Sequence, residues 1–137
     1  MNFKKMFSFR SGYKILLVDD ISSSLARIKN MLENESLKVI SAYPLDITNI
    51  LSKERPHLLL LNAGINRKPG LEVINLIRKR YPELPIILVF SVCKCLSSEI
   101  VRKIGIRDFL YEPFDRNAVL SKIQCVLMRE EGGNENN

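Results

Sequence analysis

The sequence predicts a doubly wound α/β fold, in which helices cover both faces of a five-stranded parallel sheet. Five short apolar runs occur along the chain, and they are continuous rather than alternating, which is typical of strands buried on both faces. Amphipathic segments separate these runs, as expected for helical crossovers between parallel strands. The chain has 137 residues, of which 46% are hydrophobic, so it has the size and composition of one domain. The runs lie at residues 15–18, 37–40, 58–61 and 86–90, with a weaker one at 107–110.

Each predicted helix has apolar residues three or four positions apart, so one face of it can pack on the sheet. Polar residues that can cap a helix precede the second and the fifth, at Asp46 and Asp115. Pro82 and Pro85 indicate a turn before the fourth strand, and Gly105 is expected to end the fourth helix. In chain order the apolar positions are Leu25, Ile28 and Leu32; Ile47, Ile50 and Leu51; Leu71, Ile74 and Ile77; Ile100, Val101 and Ile104; and Val119, Ile123 and Val126.

The domain is expected to span residues 14–128, between an N-terminal segment (1–13) and a polar tail (129–137) that we expect to be disordered. No apolar run approaches the roughly 18 residues of a membrane span. The first ten residues lack the uninterrupted apolar stretch of a secretory signal. An odd number of cysteines, three, fits a reducing compartment better than a disulfide framework. We therefore expect a cytoplasmic protein.

Charge and metal-ligand spacing exclude two further classes of protein. The net charge is +6, from 21 basic and 15 acidic residues, but the basic residues are scattered and aromatic residues make up only 7% of the chain. This argues against nucleic-acid binding. Cys93 and Cys95 have the spacing of half a zinc site, yet the single histidine, His57, cannot complete four ligands, and we expect ordinary thiols.

Polar residues lie just after four of the five predicted strands. Asp19 and Asp20 follow the first strand, and Asn62, Ser91 and Glu112 follow the third, fourth and fifth. In an open parallel sheet, ligands bind in the crevice outside the carboxyl ends of the strands. The two adjacent acids exceed what a helix cap needs, and carboxylates of this kind suit hard cations such as Mg²⁺.

Several motifs resemble receiver domains of bacterial response regulators, the CheY-like family. KILLVDD at 14–20 is similar to the family's opening, and RPHLLLLN at 55–62 to the strand that ends in the phosphoacceptor. PGLE at 69–72 and FLYEPF at 109–114 match later motifs in the expected order. The resemblance implies a flavodoxin-like sheet of order 2-1-3-4-5 and a role in two-component or phosphorelay signal transduction. It also implies that Ser91 and Phe109 are the switch residues, and that the peptide bond between residues 112 and 113 is cis.

Two positions depart from the family pattern. Asn62 stands where the family has its phosphoacceptor aspartate, and Glu112 stands where it has a lysine that pairs with the phosphoryl group. Aspartyl phosphorylation needs a carboxylate nucleophile, and an amide oxygen is a poor substitute. The sequence therefore predicts a degenerate pseudo-receiver with no catalytic residues, which is not an enzyme.

We expect this pseudo-receiver to bind another signalling protein through the surface formed by the fourth helix, the fifth strand and the fifth helix. The alternative is a phosphorylatable or Mg²⁺-binding single-domain receiver with an unusual acceptor. Asp19 and Asp20 would then bind Mg²⁺ weakly, with Asn62 and Glu112 as less favoured ligands; we prefer no cofactor, with Glu112 turned to solvent. The N-terminal segment can form an amphipathic anchor for a membrane surface or a partner groove, cover an exposed patch of its own domain, or fray, and the sequence does not decide among these.

Overall fold

The structure is a computed structural model, which describes residues 9, 12–18, 24–33, 35–62, 68–90 and 105–133. Its five strands form one parallel sheet in the order β2-β1-β3-β4-β5, which confirms the predicted topology. The strands are β1 (Lys14–Val18), β2 (Lys38–Ala42), β3 (Leu58–Asn62), β4 (Ile86–Phe90) and β5 (Asp108–Tyr111).

The described helices lie between and after these strands. They are α1 (Ser24–Leu32), α2 (Ile47–Glu54), α3 (Lys68–Arg80) and α4 (Arg116–Gly133), and a 3-10 turn (Pro44–Asp46) precedes α2. The helix predicted around residues 100–104 lies outside the described residues. The C-terminal helix, which the sequence predicted as the fifth, is therefore α4 in this description.

Two apolar clusters, one on each face of the sheet, form the core. On one face, α1 and α4 pack against alternate residues of β1, β3 and β4, such as Leu17, Leu60 and Ile87. On the other face, α2 and α3 pack against the intervening residues, such as Leu16 and Leu59. Because both faces are covered, every residue of β3 and β4 is buried, which explains why their sequences are apolar throughout except at Asn62, the last residue of β3.

The predicted helix caps have different outcomes. The Asp115 carboxylate accepts a hydrogen bond from the Ala118 N–H at 2.8 Å, which is the expected N-cap geometry of α4. Asp46 occupies the N-cap position of α2 but makes no side-chain capping bond. Its backbone has φ −97° and ψ 2°, outside the extended region from which a cap side chain reaches back to the helix.

The C-terminal helix differs from the predicted boundary. It continues through Gly133, past residue 128 and into the segment expected to be a disordered tail. Arg129, the first residue past the predicted boundary, is tied to the domain, because its guanidinium donates two hydrogen bonds to the Asp108 carboxylate at the start of β5, at 2.6 and 3.2 Å. At the other end of the chain, Phe9 is half-buried and packs against the first apolar cluster, as expected if the N-terminal segment covers its own domain.

Candidate functional site

Asn62 is the last residue of β3 and lies at the carboxyl edge of the sheet. It is in register with Val89 of β4, and the preceding Leu61 is in register with Val18, the last residue of β1. The exposed fraction of Asn62 is 5%, and Asp108 is the other buried polar residue in the described part of the chain. The sequence therefore placed Asn62 correctly at the end of a central, buried strand.

Glu112 follows β5 directly and lies near the end of β4. Its backbone N–H donates a hydrogen bond to the Phe90 carbonyl oxygen at 2.9 Å, which extends the β4–β5 pairing by one residue. The peptide bond between Glu112 and Pro113 is cis, as the resemblance implied. The Glu112 residue is half-buried rather than fully exposed. This backbone anchor holds residue 112 at the same edge of the sheet as Asn62.

The remaining predicted site residues, Asp19, Asp20 and Ser91, lie outside the described residues. Asp19 follows the end of β1 in sequence, and Ser91 follows the end of β4. Within the described ranges, no group of three or more histidine, cysteine or acidic side chains could hold a metal ion. The metal hypothesis therefore depends on residues beyond those ranges.

His57 precedes β3, at the amino edge of the sheet and so at the opposite end from Asn62. The ring Nδ1 of His57 accepts a hydrogen bond from the backbone N–H of Lys14 at 3.0 Å. The backbone N–H of His57 donates to the Lys14 carbonyl oxygen at 2.9 Å. Its ring meets Tyr13 edge to face, with 5.1 Å between the ring centroids. These contacts give His57 a structural role at the first pairing of β1 with β3. Cys93 and Cys95 lie outside the described residues.

Phe109, the predicted switch aromatic, belongs to a group of three rings on β4 and β5. Its centroid lies 5.9 Å from that of Phe90 and 6.4 Å from that of Tyr111. Tyr111 stacks on Phe90 with 5.0 Å between centroids and 12° between ring planes. Phe109 is half-buried, whereas Tyr111 is 60% exposed. The sequence analysis missed Tyr111, although its position two residues after Phe109 places both on one face of β5.

The outer face of α4 presents an exposed stripe without charged groups, which we call the α4 stripe. It consists of Ala118, Ser121, Cys125 and Met128, and its spacings of three and four residues place these side chains along one side of the helix. Met128 is 60% exposed. The stripe and Tyr111 are the exposed apolar features of β5 and α4.

The sheet order, the buried polar end of β3 and the motif at the end of β5 define a receiver-type fold with its site at the carboxyl edge. Residues 15–124 match the response regulator receiver domain family, and the chain belongs to that family. It takes part in two-component signalling as a receiver domain. In the described part of the chain, no helix is long and apolar enough to cross a bilayer.

Two curated relatives illustrate the similarity. The chain is 28% identical over 116 residues to the transcriptional regulatory protein CpxR of Escherichia coli, which covers 85% of this chain and 50% of that protein. It is 30% identical over 125 residues to the nisin biosynthesis regulatory protein NisR of Lactococcus lactis, covering 87% and 52%. The chain thus spans about half the length of these relatives.

A solved structure confirms the fold. The crystal structure of a CheY-like receiver domain protein from Methanospirillum hungatei superimposes with a TM-score of 0.76 at 24% identity. The match covers 88% of this chain and 98% of that one.

Proposed function

We propose that this receiver domain acts without aspartyl phosphorylation, as a cytoplasmic module that binds another signalling protein and has no catalytic activity of its own. The main support is the buried amide of Asn62 at the end of β3, where the family resemblance implies a phosphoacceptor carboxylate. A carboxylate attacks phosphorus with a charged oxygen, whereas the amide oxygen is neutral and its carbonyl is resonance-stabilised. Asn62 therefore keeps the size of an aspartate and lacks its nucleophile.

The charge of Glu112 supports the same proposal. A lysine at this position would attract a phosphoryl group, and a carboxylate would repel it. For unit charges about 4 Å apart in an effective dielectric near 20, the attraction is about 4 kcal/mol, and reversing one charge turns it into a repulsion of similar size. Because Glu112 is half-buried, solvent screens this repulsion only in part. Phosphoryl transfer into this site is thus opposed both by the missing nucleophile and by charge.

Protein binding is supported by the exposed surface of β5 and α4. Tyr111 offers a large, rigid, exposed ring held in place by its stacking on Phe90. The α4 stripe offers a surface without charged groups, and aromatic residues and methionine are enriched in protein interfaces while charged residues are depleted at their centres. We therefore place the docking surface on β5 and α4, together with the predicted helix that lies outside the described residues.

The phosphorylation part of the proposal is tested by incubating the protein with acetyl phosphate and Mg²⁺ and measuring its intact mass. We expect no phosphate adduct on the natural sequence. The double variant Asn62→Asp with Glu112→Lys restores the nucleophile and the cation, and we expect it to form an adduct that hydroxylamine removes, as it does an acyl phosphate. An adduct on the natural protein that maps to the crevice at the end of β3 would contradict the proposal and favour the phosphorylatable alternative.

The docking part is tested with a charge placed in the α4 stripe. Ser121→Arg puts a long cation at the centre of the stripe, and Ser52→Arg makes the same change at an exposed position of α2. We expect capture of the partner from native extract to fall in Ser121→Arg and to persist in Ser52→Arg. Equal capture by both variants would place the interface elsewhere.

A further inference from the structure

A cavity of about 610 Å³ opens at the amino edge of the sheet, at the opposite end from Asn62. It lies between the loop that follows α3, the start of β5 and the end of α4. Its size falls within the range of about 300–1,000 Å³ that is typical of small-molecule sites. The charged residues that line it are Arg78, Arg107, Arg129, Glu83 and Asp108. The two-component function described above uses none of these residues.

Backbone and side-chain acceptors hold two of the three guanidinium groups in place. Arg78 Nη1 donates to the carbonyl oxygens of Leu84 at 2.8 Å and of Pro82 at 3.2 Å, which fixes it against the loop after α3. Arg129 is held by the two hydrogen bonds to Asp108. The positive charge of both groups is thus positioned before any ligand arrives, so binding need not order these side chains.

Arg107 differs from the other two arginines. It is exposed, it lines the cavity directly before β5, and it has no hydrogen bond or ion pair among the residues that the structure describes. The lining carries three guanidinium groups and two carboxylates, and the Asp108 carboxylate and the Arg129 guanidinium neutralise each other. The exposed carboxylate of Glu83 lowers the potential of the cavity but does not cancel it.

We propose that this cavity binds a small phosphate-type oxyanion and that Arg107 is its principal ligand. The planar guanidinium donates two parallel hydrogen bonds to an oxyanion, and such charge-assisted pairs are stronger than neutral hydrogen bonds. The fixed charge of Arg78 adds to the attraction, whereas the charge of Arg129 is balanced by Asp108. A diphosphate group is an oxyanion of this type, and it occurs both as inorganic pyrophosphate and within a nucleoside diphosphate. The inference is independent of whether Asn62 accepts phosphate, since the cavity lies at the other edge of the sheet.

The test is a calorimetric titration of the full chain with inorganic pyrophosphate, and in a second arm with a nucleoside diphosphate, at constant ionic strength. We expect saturable binding of pyrophosphate that weakens about tenfold or more in Arg107→Gln, because a hydrogen bond to a charged group is lost. Tighter binding of the nucleotide would identify the larger ligand as the source of the phosphate, and equal binding would identify the inorganic ion.

Two variants serve as controls that remove the same charge. Arg80→Gln lies on the exposed last turn of α3 outside the cavity lining, and Arg55→Gln lines the neighbouring cavity of about 570 Å³ beside His57. Both should bind pyrophosphate within about twofold of the natural protein, because screened surface charges contribute little. Absence of saturable binding at millimolar concentration would overturn the proposal. So would an equal loss in all three variants, which would indicate non-specific attraction, or full binding by a correctly folded Arg107→Gln.

Discussion

The ion pair between Asp108 and Arg129 joins the first residue of β5 to α4, and breaking it should destabilise the domain. The Asp108 side chain is 11% exposed and the Arg129 side chain is 38% exposed, so the pair is partly screened by water. Its geometry is favourable, since two hydrogen bonds of 2.6 and 3.2 Å connect the planar guanidinium to both carboxylate oxygens. We consider the variant Arg129→Met, which keeps an apolar stem of similar length.

The magnitude follows from the burial of the two partners. Removing one partner of a fully buried pair costs about 3–5 kcal/mol, because a charge is left buried without compensation, whereas exposed pairs contribute about 0–1 kcal/mol. With Asp108 nearly buried and Arg129 about one-third exposed, we expect Arg129→Met to lower the free energy of unfolding by about 2 kcal/mol. Asp108→Asn should cost about 1 kcal/mol, because the amide oxygen still accepts one hydrogen bond.

The assay is urea unfolding of the two single variants, the double variant and the natural protein, which together give a double-mutant cycle. We expect a coupling energy of about 1 kcal/mol or more between positions 108 and 129. Arg107→Met is the matched control: Arg107 is exposed and has no ion pair within the described ranges, so its loss should change stability by less than about 0.5 kcal/mol. A coupling energy near zero would refute the argument that this pair fixes α4 to β5.

Two further predictions concern stability. Leu60→Ala should lower the free energy of unfolding by about 3–5 kcal/mol, because Leu60 is 0% exposed at the centre of β3. Leu45→Ala, at a residue that is 95% exposed, should change it by less than about 0.5 kcal/mol. Similar losses of stability for both variants in thermal melts would contradict the burial argument. Asp115→Ala removes the acceptor of the Ala118 N–H and should lower the free energy of unfolding by about 1 kcal/mol. Asp46→Ala removes no capping bond and should lower it by about a few tenths of a kcal/mol. Denaturant midpoints compare the two variants, and equal losses would show that the Asp115 capping bond contributes nothing.

The strands could be predicted from the sequence because they depend on local patterns, whereas the sheet order was implied by the family resemblance. A continuously apolar run such as residues 58–61 can bury both of its faces only in the centre of a covered parallel sheet, and β3 occupies that place. The extent of α4 could not be predicted in the same way. Its last turns include Gly132 and Gly133, which disfavour helix locally, and the contact of Arg129 joins two residues that are 21 positions apart. Such long-range pairing leaves no periodic signal in the sequence.

The candidate site could be predicted in position, and only in part in detail. Strand ends placed Asn62 and Glu112 at one edge of the sheet, because parallel strands bring their carboxyl ends together. The conformation of Tyr111 depends instead on a stacking partner in the adjacent strand, Phe90, which becomes a neighbour only when β4 and β5 pair. The sequence motif pointed to Phe109 alone, although the exposed ring is that of the second residue after it.

The fold does not depend on a carboxylate at position 62, because the residues that form its core differ from those at the candidate site. The two apolar clusters lie within the sheet and beneath the helices, and the described residues of the site lie at one edge of this core. A carboxylate at position 62 would have to be buried at the end of β3, at a cost in desolvation that a bound cation would offset. The neutral amide of Asn62 avoids that cost and fits the same space. Under the proposed function, the absence of a carboxylate at position 62 avoids that desolvation cost, and the exposed ring of Tyr111 is held by its stacking on Phe90 and not by residue 62.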